Sequence, residues 1–439
     1  MSTSWMFVNA RLADPGAGTL VVEDLLVVDG VVAKRGPAAR THAAAGRAET
    51  VDAAGAVLAP GLVDVHVHLR EPGQEDKETI ATGTAAAVAG GFTSVACMPN
   101  TNPPLDEPGR LYLVADRARR AGLARVHPVA AITQGLAGER LADLAALVEA
   151  GAVAFSDDGH PVSHGGLMRH ALEYARDLGV PVITHAEDLS LRGDGVMNEG
   201  PVATRLGLPG IPAACENVAV ARDLVLAELT GSRIHVAHVS TAGAVEAIAR
   251  AKWRGVAATG EVTPHHFTLI DAECNGYNTN AKMNPPLRSI DDRDAVVDAL
   301  AKGVLTVIAT DHAPHTPHEK DAEFVYAPFG VVGLETALGV TLTRLVHGGR
   351  LFLVDAIRAL TMAPRALLGL PDPLAIGAAA DLVLIDPDLA WTVDKATFRS
   401  KGRNTPFDRH PLKGRALATW VGGRRVFALH EELTREEGR

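Results

Sequence analysis

The sequence predicts an α/β protein, a (β/α)8 TIM barrel joined to a small β-sandwich domain formed from both chain termini. Eight short apolar runs alternate with Ala/Leu-rich helical stretches through the middle of the chain, and strand-like pieces punctuated by glycine occupy both ends. Hydrophobic residues make up 47% of the chain, but only 4% are aromatic and 43 are glycine, which fits a core of Ala, Val and Leu between sheet and helices. With 439 residues the chain is long enough for a large domain and a smaller one. The expected boundaries are 1–59 and 366–439 for the two parts of the β domain and 60–365 for the barrel.

At the amino end, strands are expected at 7–9, 21–28 and 56–58, with Gly30, Gly46 and Gly55 between them. Matching runs lie at 380–386 and 416–427, where Gly422-Gly423 fits a hairpin turn. Neither terminal group is large enough to fold alone, so the two are paired in one domain. Barrel strands are expected at 62–65, 92–95, 125–129, 152–155, 181–184, 234–237, 256–259 and 305–309. Helices fall at 141–150, 166–178, 217–229, 243–252 and 292–301. After the last strand, 315–330 is polar and then aromatic, the position of an active-site loop in such a barrel.

The net charge of -10 without a basic block disfavours nucleic acid as a partner. Cys97, Cys215 and Cys274 form neither a disulfide framework nor a Cys-x-x-Cys clamp, which fits a reducing cytoplasm. The start, Met1 to Trp5, lacks a basic-then-apolar leader, and no apolar run approaches a membrane span. No phosphate-binding glycine loop is present.

Polar residues gather at the predicted strand ends. His66 and His68, one residue apart, point to the same side of a strand and can grip one ion. Asp157 follows the fourth strand, His185 the fifth, His238 the sixth and Asp311 the eighth. Taken singly, a histidine here is more simply a hydrogen-bonded core residue, and Asp157 a helix cap. Their shared position at the barrel mouth points instead to a metal centre, since a divalent ion offsets the carboxylates and uses the imidazole lone pairs. Arg70, two residues past His68, presents a planar fork suited to a substrate carboxylate. Pairing with Glu71 or Glu75 is its structural alternative. Asn100, Asn284 and His315 are further candidate substrate contacts, and His265-His266 can line the mouth or orient a ligand.

Seven segments in this order carry a resemblance: 64–73 (DVHVHLREPG), 98–101 (MPNT), 155–159 (FSDDG), 261–266 (EVTPHH), 282–288 (KMNPPLR), 310–315 (TDHAPH) and 327–330 (APFG). The chain resembles the metal-dependent amidohydrolase superfamily and, within it, bacterial dihydroorotases of the longer, class I type. The resemblance implies that His66, His68, Asp157, His185, His238 and Asp311 bind Zn2+, one or two ions with two favoured, Asp157 standing where related enzymes carry a carboxylated lysine. It implies Arg70, Asn100 and His315 on the substrate carboxylate and Asn284 on the pyrimidine ring. The implied reaction is the reversible hydrolysis of dihydroorotate to N-carbamoyl-L-aspartate, the third step of pyrimidine biosynthesis, with a metal-activated water as nucleophile and Asp311 as proton shuttle. Alternatives are another cyclic amidase (dihydropyrimidinase, hydantoinase or allantoinase), or a non-catalytic subunit supporting aspartate carbamoyltransferase. A cytoplasmic homodimer, and association with that transcarbamoylase, are the implied assembly.

Overall fold

The computed structural model describes residues 3–42 and 44–430. Residues 1, 2, 43 and 431–439, which the terminal ranges 1–59 and 366–439 include, lie outside the described residues.

Eight parallel strands form one sheet in sequence order: β1 (Leu62–Val67), β2 (Phe92–Cys97), β3 (Arg125–Ala130), β4 (Ala154–Phe155), β5 (Val182–Thr184), β6 (Ile234–Val236), β7 (Ala258–Val262) and β8 (Val307–Ile308). The ring closes just beyond β8, where the His68 N–H donates to the His312 carbonyl at 2.8 Å and Val67 bridges His312 in parallel. Each predicted barrel strand coincides with an observed one. All five predicted helices appear as well, at Leu144–Glu149, Gly165–Leu178, Ala213–Thr230, Ala242–Trp253 and Ile290–Ala301.

Inside the barrel Val63, Val65, Ala96, Met98, Val129, Ala154, Ile183, Val307 and Ala309 pack together, with Leu367 and Leu368 of the helix Met362–Leu368. Val67 belongs instead to the cluster between sheet and helices. The register of β1 against β2 shifts between Asp64 and Val67, so the side facing the axis changes along the strand.

Two further sheets use the chain ends. One orders Val31–Arg35, Leu25–Val28, Trp5–Val8 and Glu49–Asp52; the other orders Arg424–Ala428, Pro411–Val421, Leu382–Thr392, Val57–Pro60, Arg11–Asp14 and Thr19–Val22. They share one core in which Phe7, Leu12, Leu25, Leu58, Leu382 and Trp420 meet, and the Trp420 indole lies edge-on to Phe7 at 5.0 Å. The expected strand 21–28 is two strands, one in each sheet, separated at Glu23-Asp24. The charged pair Glu23-Asp24 between two apolar runs is the mark of a chain that changes sheets. The Gly422-Gly423 hairpin forms as expected, both glycines having positive φ.

Candidate metal centre and substrate pocket

The strand ends bring His66, His68, His185, His238, Asp158 and Asp311 to one buried cluster at the barrel mouth. Two triads can each hold an ion: His66, His68 and Asp158, and Asp158, His185 and His238, with ligand atoms within 4.8 Å of one another in each. Asp158 is the shared member. Its Oδ1 lies 3.3 Å from His66 Nε2, 3.5 Å from His185 Nδ1 and 3.7 Å from His238 Nε2, and its Oδ2 is 3.5 Å from His68 Nε2. Asp311 Oδ1 is 3.0 Å from His68 Nε2 and 3.6 Å from His66 Nε2. Two ligand atoms on one tetrahedral zinc are about 3.3 Å apart, the scale of these separations.

The carboxylate expected at Asp157 is therefore supplied by its neighbour. Asp157 Oδ1 accepts the N–H groups of Ile132 and Thr133 at 2.8 and 3.1 Å, and Oδ2 takes the Thr133 hydroxyl. Its side chain holds the turn after β3, apart from both triads. The alternation of β4 contains the signal that corrects the expectation: Ala154 faces the barrel axis and Phe155 the helices, so counting by two reaches 156 and 158.

The hydrogen bonds fix which ring nitrogens are lone pairs. A carboxylate can only accept, so His66 Nδ1 donates to Glu261 Oε1 at 2.8 Å, which leaves Nε2, facing Asp158, as the nitrogen open to an ion. His68 Nδ1 donates to Asn100 Oδ1 at 2.8 Å, which leaves Nε2 facing Asp311. His185 Nδ1 and His238 Nε2 approach to 2.9 Å. Acceptors thus face acceptors, and His66 Nε2 and Asp158 Oδ1 have no hydrogen-bond partner. Such a constellation is stable around a cation, and this donor set of imidazoles and carboxylates fits zinc. With protons alone, burial is outweighed by Asp158 and Glu261, which lift His66 well above the ordinary imidazole range; His185 is likewise raised to about 10 by Asp158 and Glu187 against burial. Burial raises Asp311, but His68, His66 and His238 bring it down to about 2.

Glu261, which the sequence reading left without a role, sits at the end of β7 and also accepts from His235 Nε2 at 2.9 Å and from the His238 N–H at 3.2 Å. One carboxylate therefore orients the His66 ring of the cluster and holds the backbone that carries His238. His266 bonds the Pro285 carbonyl at 3.0 Å and supports the segment carrying Asn284, while burial pulls His265 down to about 4. Arg70, His238 and Asp311 all have positive φ, at 61, 34 and 47°, a strained state that clusters at functional sites.

A cavity of about 220 Å³ opens beside the cluster, and Arg70, Asn100, Asn284 and His315 all border it. Arg70 is buried; its Nε donates to the Pro314 carbonyl at 3.2 Å, and no carboxylate lies within 4.0 Å of it among the described residues. His315 Nε2 donates to the Phe329 carbonyl at 2.8 Å, and burial with the nearby Arg70 lowers this imidazole to about 3, so it is neutral. Asn100 also donates Nδ2 to the Asp158 carbonyl at 3.2 Å, and Asn284 donates to Glu187 at 3.0 Å. Both asparagines thus brace the cluster while lining the cavity. Sequence reasoning missed Arg192 as a lining residue. The 315–330 segment does border the pocket. It is fastened by Lys320 Nζ, which donates to the carbonyls of Pro328 at 2.9 Å and Gly330 at 3.0 Å, and by Lys282 Nζ, which donates to Phe324 O at 2.6 Å.

A parallel eight-stranded barrel with this imidazole and carboxylate cluster at its carboxyl-end mouth defines an amidohydrolase. Solved structures agree: an L-hydantoinase (dihydropyrimidinase) from Arthrobacter aurescens superposes with a TM-score of 0.86 over 97% of this chain and 96% of that one, at 26% identity. A dihydropyrimidinase from Brevibacillus agri shares the fold with a TM-score of 0.81 at 22% identity, over 97% of this chain and 95% of that one. The family described as Dihydro-orotase-like matches residues 55–244. A dihydroorotase from Syntrophotalea carbinolica is 54% identical over 97% of this chain and 99% of its own length, and one from Pelotomaculum thermopropionicum is 55% identical over 95% and 97%. The chain belongs to the dihydroorotase family, and it is an enzyme of the amidohydrolase class.

Proposed function

We propose that the protein is a zinc-dependent dihydroorotase that interconverts dihydroorotate and N-carbamoyl-L-aspartate in pyrimidine biosynthesis. The observation that carries this reading is Asp158 standing between two histidine pairs beside a cavity that holds an unpaired buried guanidinium. His66, His68, Asp158, His185, His238 and Asp311 would hold two zinc ions, Asp158 being the ligand common to both. Bound there, the metal supplies Lewis acidity and lowers the pKa of water.

The chain's own groups do the rest. Arg70 offers its fork to the substrate carboxylate, with neutral His315 and Asn100 at the same wall. Asn284 meets the ring. Asp311, ionised at neutral pH, accepts a proton from the attacking water on a carboxylate oxygen and passes it to the departing ring nitrogen. Ring closure retraces the path. The barrel, 60–365, carries this chemistry, and 1–59 with 366–439 form the supporting domain of a cytoplasmic homodimer.

The likeness to a hydantoinase motivates one rival, a cyclic amidase for uncharged rings. An unpaired buried Arg70 favours a carboxylated substrate over that rival. Metal content of the purified enzyme, with turnover of dihydroorotate, dihydrouracil and hydantoin before and after chelation, tests the proposal. Zinc-dependent turnover of dihydroorotate alone is expected; equal turnover of the uncharged rings would overturn the substrate assignment, and undiminished activity without metal would overturn the metal assignment.

A further inference from the structure

Among the described residues, Arg70, Arg288 and Arg365 are the buried arginines. Arg288 reaches Glu216 at 3.7 Å. Arg365, in the helix beneath the barrel and 3% exposed, has no carboxylate within 4.0 Å. Its Nη1 and Nη2 donate to the carbonyls of Pro371 at 3.3 Å and Gly61 at 3.2 Å, and its Nε has no acceptor. A buried cation with no carboxylate in contact is costly, and two neutral carbonyls, with Asp381 and Asp372 acting from beyond 4.0 Å, compensate it only in part.

Arg365 borders a cavity of about 290 Å³ at the amino ends of β2 and β3, away from the mouth. Arg125 enters the same cavity, but Asp381 already holds its guanidinium through two bonds, at 2.8 and 3.0 Å. Beside them His127 Nε2 is buried without a partner. Burial, then Arg125 and Arg365, pull His127 down to about 4, so it adds no charge at neutral pH. Of the charged groups lining the cavity, Arg125 and Asp381 bind each other, and Arg365 is left with no carboxylate in contact. Apart from Ser94, the rest of the wall is apolar, with Leu370, Pro371 and Ala379 among it.

We propose that this cavity is a second small-molecule site, which takes an organic monocarboxylate of compact apolar body and pairs its carboxylate with Arg365. The Arg365 guanidinium, with its Nε free of any acceptor, sets the ligand's charged group, and the largely apolar wall sets its body. The geometry at Arg365 is independent of the function proposed above.

Benzoate, titrated by calorimetry into the metal-loaded full chain with dihydroorotate saturating the mouth, tests the site. Saturable binding near one per chain is expected, weakened by about tenfold or more in Arg365→Gln and in Ala379→Phe, which fills the cavity. Ala379→Phe should keep the wild-type KM for dihydroorotate, and it carries the test if Arg365→Gln does not fold. Absence of saturable binding, displacement of benzoate by dihydroorotate, or undiminished binding in Ala379→Phe would overturn the proposal. Failure of dihydroorotate turnover would instead count against the proposed function and leave the benzoate titration of the unliganded protein as the readout of this site.

Discussion

Glu261 receives the Nδ1 proton of His66 at 2.8 Å, and this bond leaves Nε2, the nitrogen facing Asp158, as the one that can meet a metal ion. Replacing Glu261 by Gln lets an amide N–H meet the same ring and removes the preference between the two nitrogens. Metal affinity should fall by about 10- to 100-fold, the usual effect of losing such a supporting carboxylate. Zinc retained after dialysis at buffered free zinc measures it, with circular dichroism showing that the fold persists.

Asp157 and Asp158 are adjacent in sequence but opposite in what they touch. Asp158→Asn should abolish turnover and reduce bound metal. Asp157→Asn should keep its metal and lose stability, by about 1–3 kcal/mol for a buried carboxylate whose backbone donors are left poorly matched. Metal stoichiometry and urea unfolding of the two variants would separate them, and loss of metal in Asp157→Asn alone would reverse the assignment made from the structure.

Arg70→Met should raise KM for dihydroorotate and lower kcat/KM by about 2–4 kcal/mol of binding energy, as for a lost charge-assisted fork, with zinc content unchanged. Steady-state kinetics with parallel metal analysis provides the measurement.

The Glu335 carboxyl accepts the N–H groups of Arg399 and Ser400, and burial pushes it up to about 7 from the ordinary 4.5. Between these values the unfolded chain has released the proton while the folded chain keeps it, so this group's contribution to stability declines as pH rises through that window and is level above it. Glu335→Gln has no such titration. The melting temperature of wild type relative to this variant should therefore drop between about pH 4.5 and about pH 7 and then stay constant.

Lys320 ties Pro328 and Gly330 to the pocket rim through its ammonium. Lys320→Met keeps the stem and removes the donors, so proteolysis within 316–330 should accelerate and KM should rise while metal content holds. Limited digestion followed by mass spectrometry reads the first effect.

The barrel was legible because parallel strands buried on both faces read as short, mostly apolar runs alternating with helical stretches, even where Asp64, Ser94, His127 or His235 interrupts them. Five of the six cluster residues followed from position alone, since His66, His68, His185, His238 and Asp311 are polar residues at the ends of such runs. Asp157 is the first carboxylate past β4, and position alone favours it; only counting by two from Ala154 reaches Asp158. Glu261 and Arg365 were illegible for another reason. Glu261 acts on rings from β1 and β6, and Arg365 is notable only for the partner it lacks, so neither leaves a local pattern.

The strand Val57–Pro60 pairs on one side with Arg11–Asp14 and on the other with Leu382–Thr392, more than three hundred residues later in the chain. During synthesis the first of these edges is covered almost at once. The second must stay open until nearly the whole polypeptide has left the ribosome, leaving a ready template for a wrong neighbour. Truncation ahead of 382 should therefore yield aggregating material even though every barrel strand is present, which makes the carboxyl-terminal strands a seal on an early-made edge.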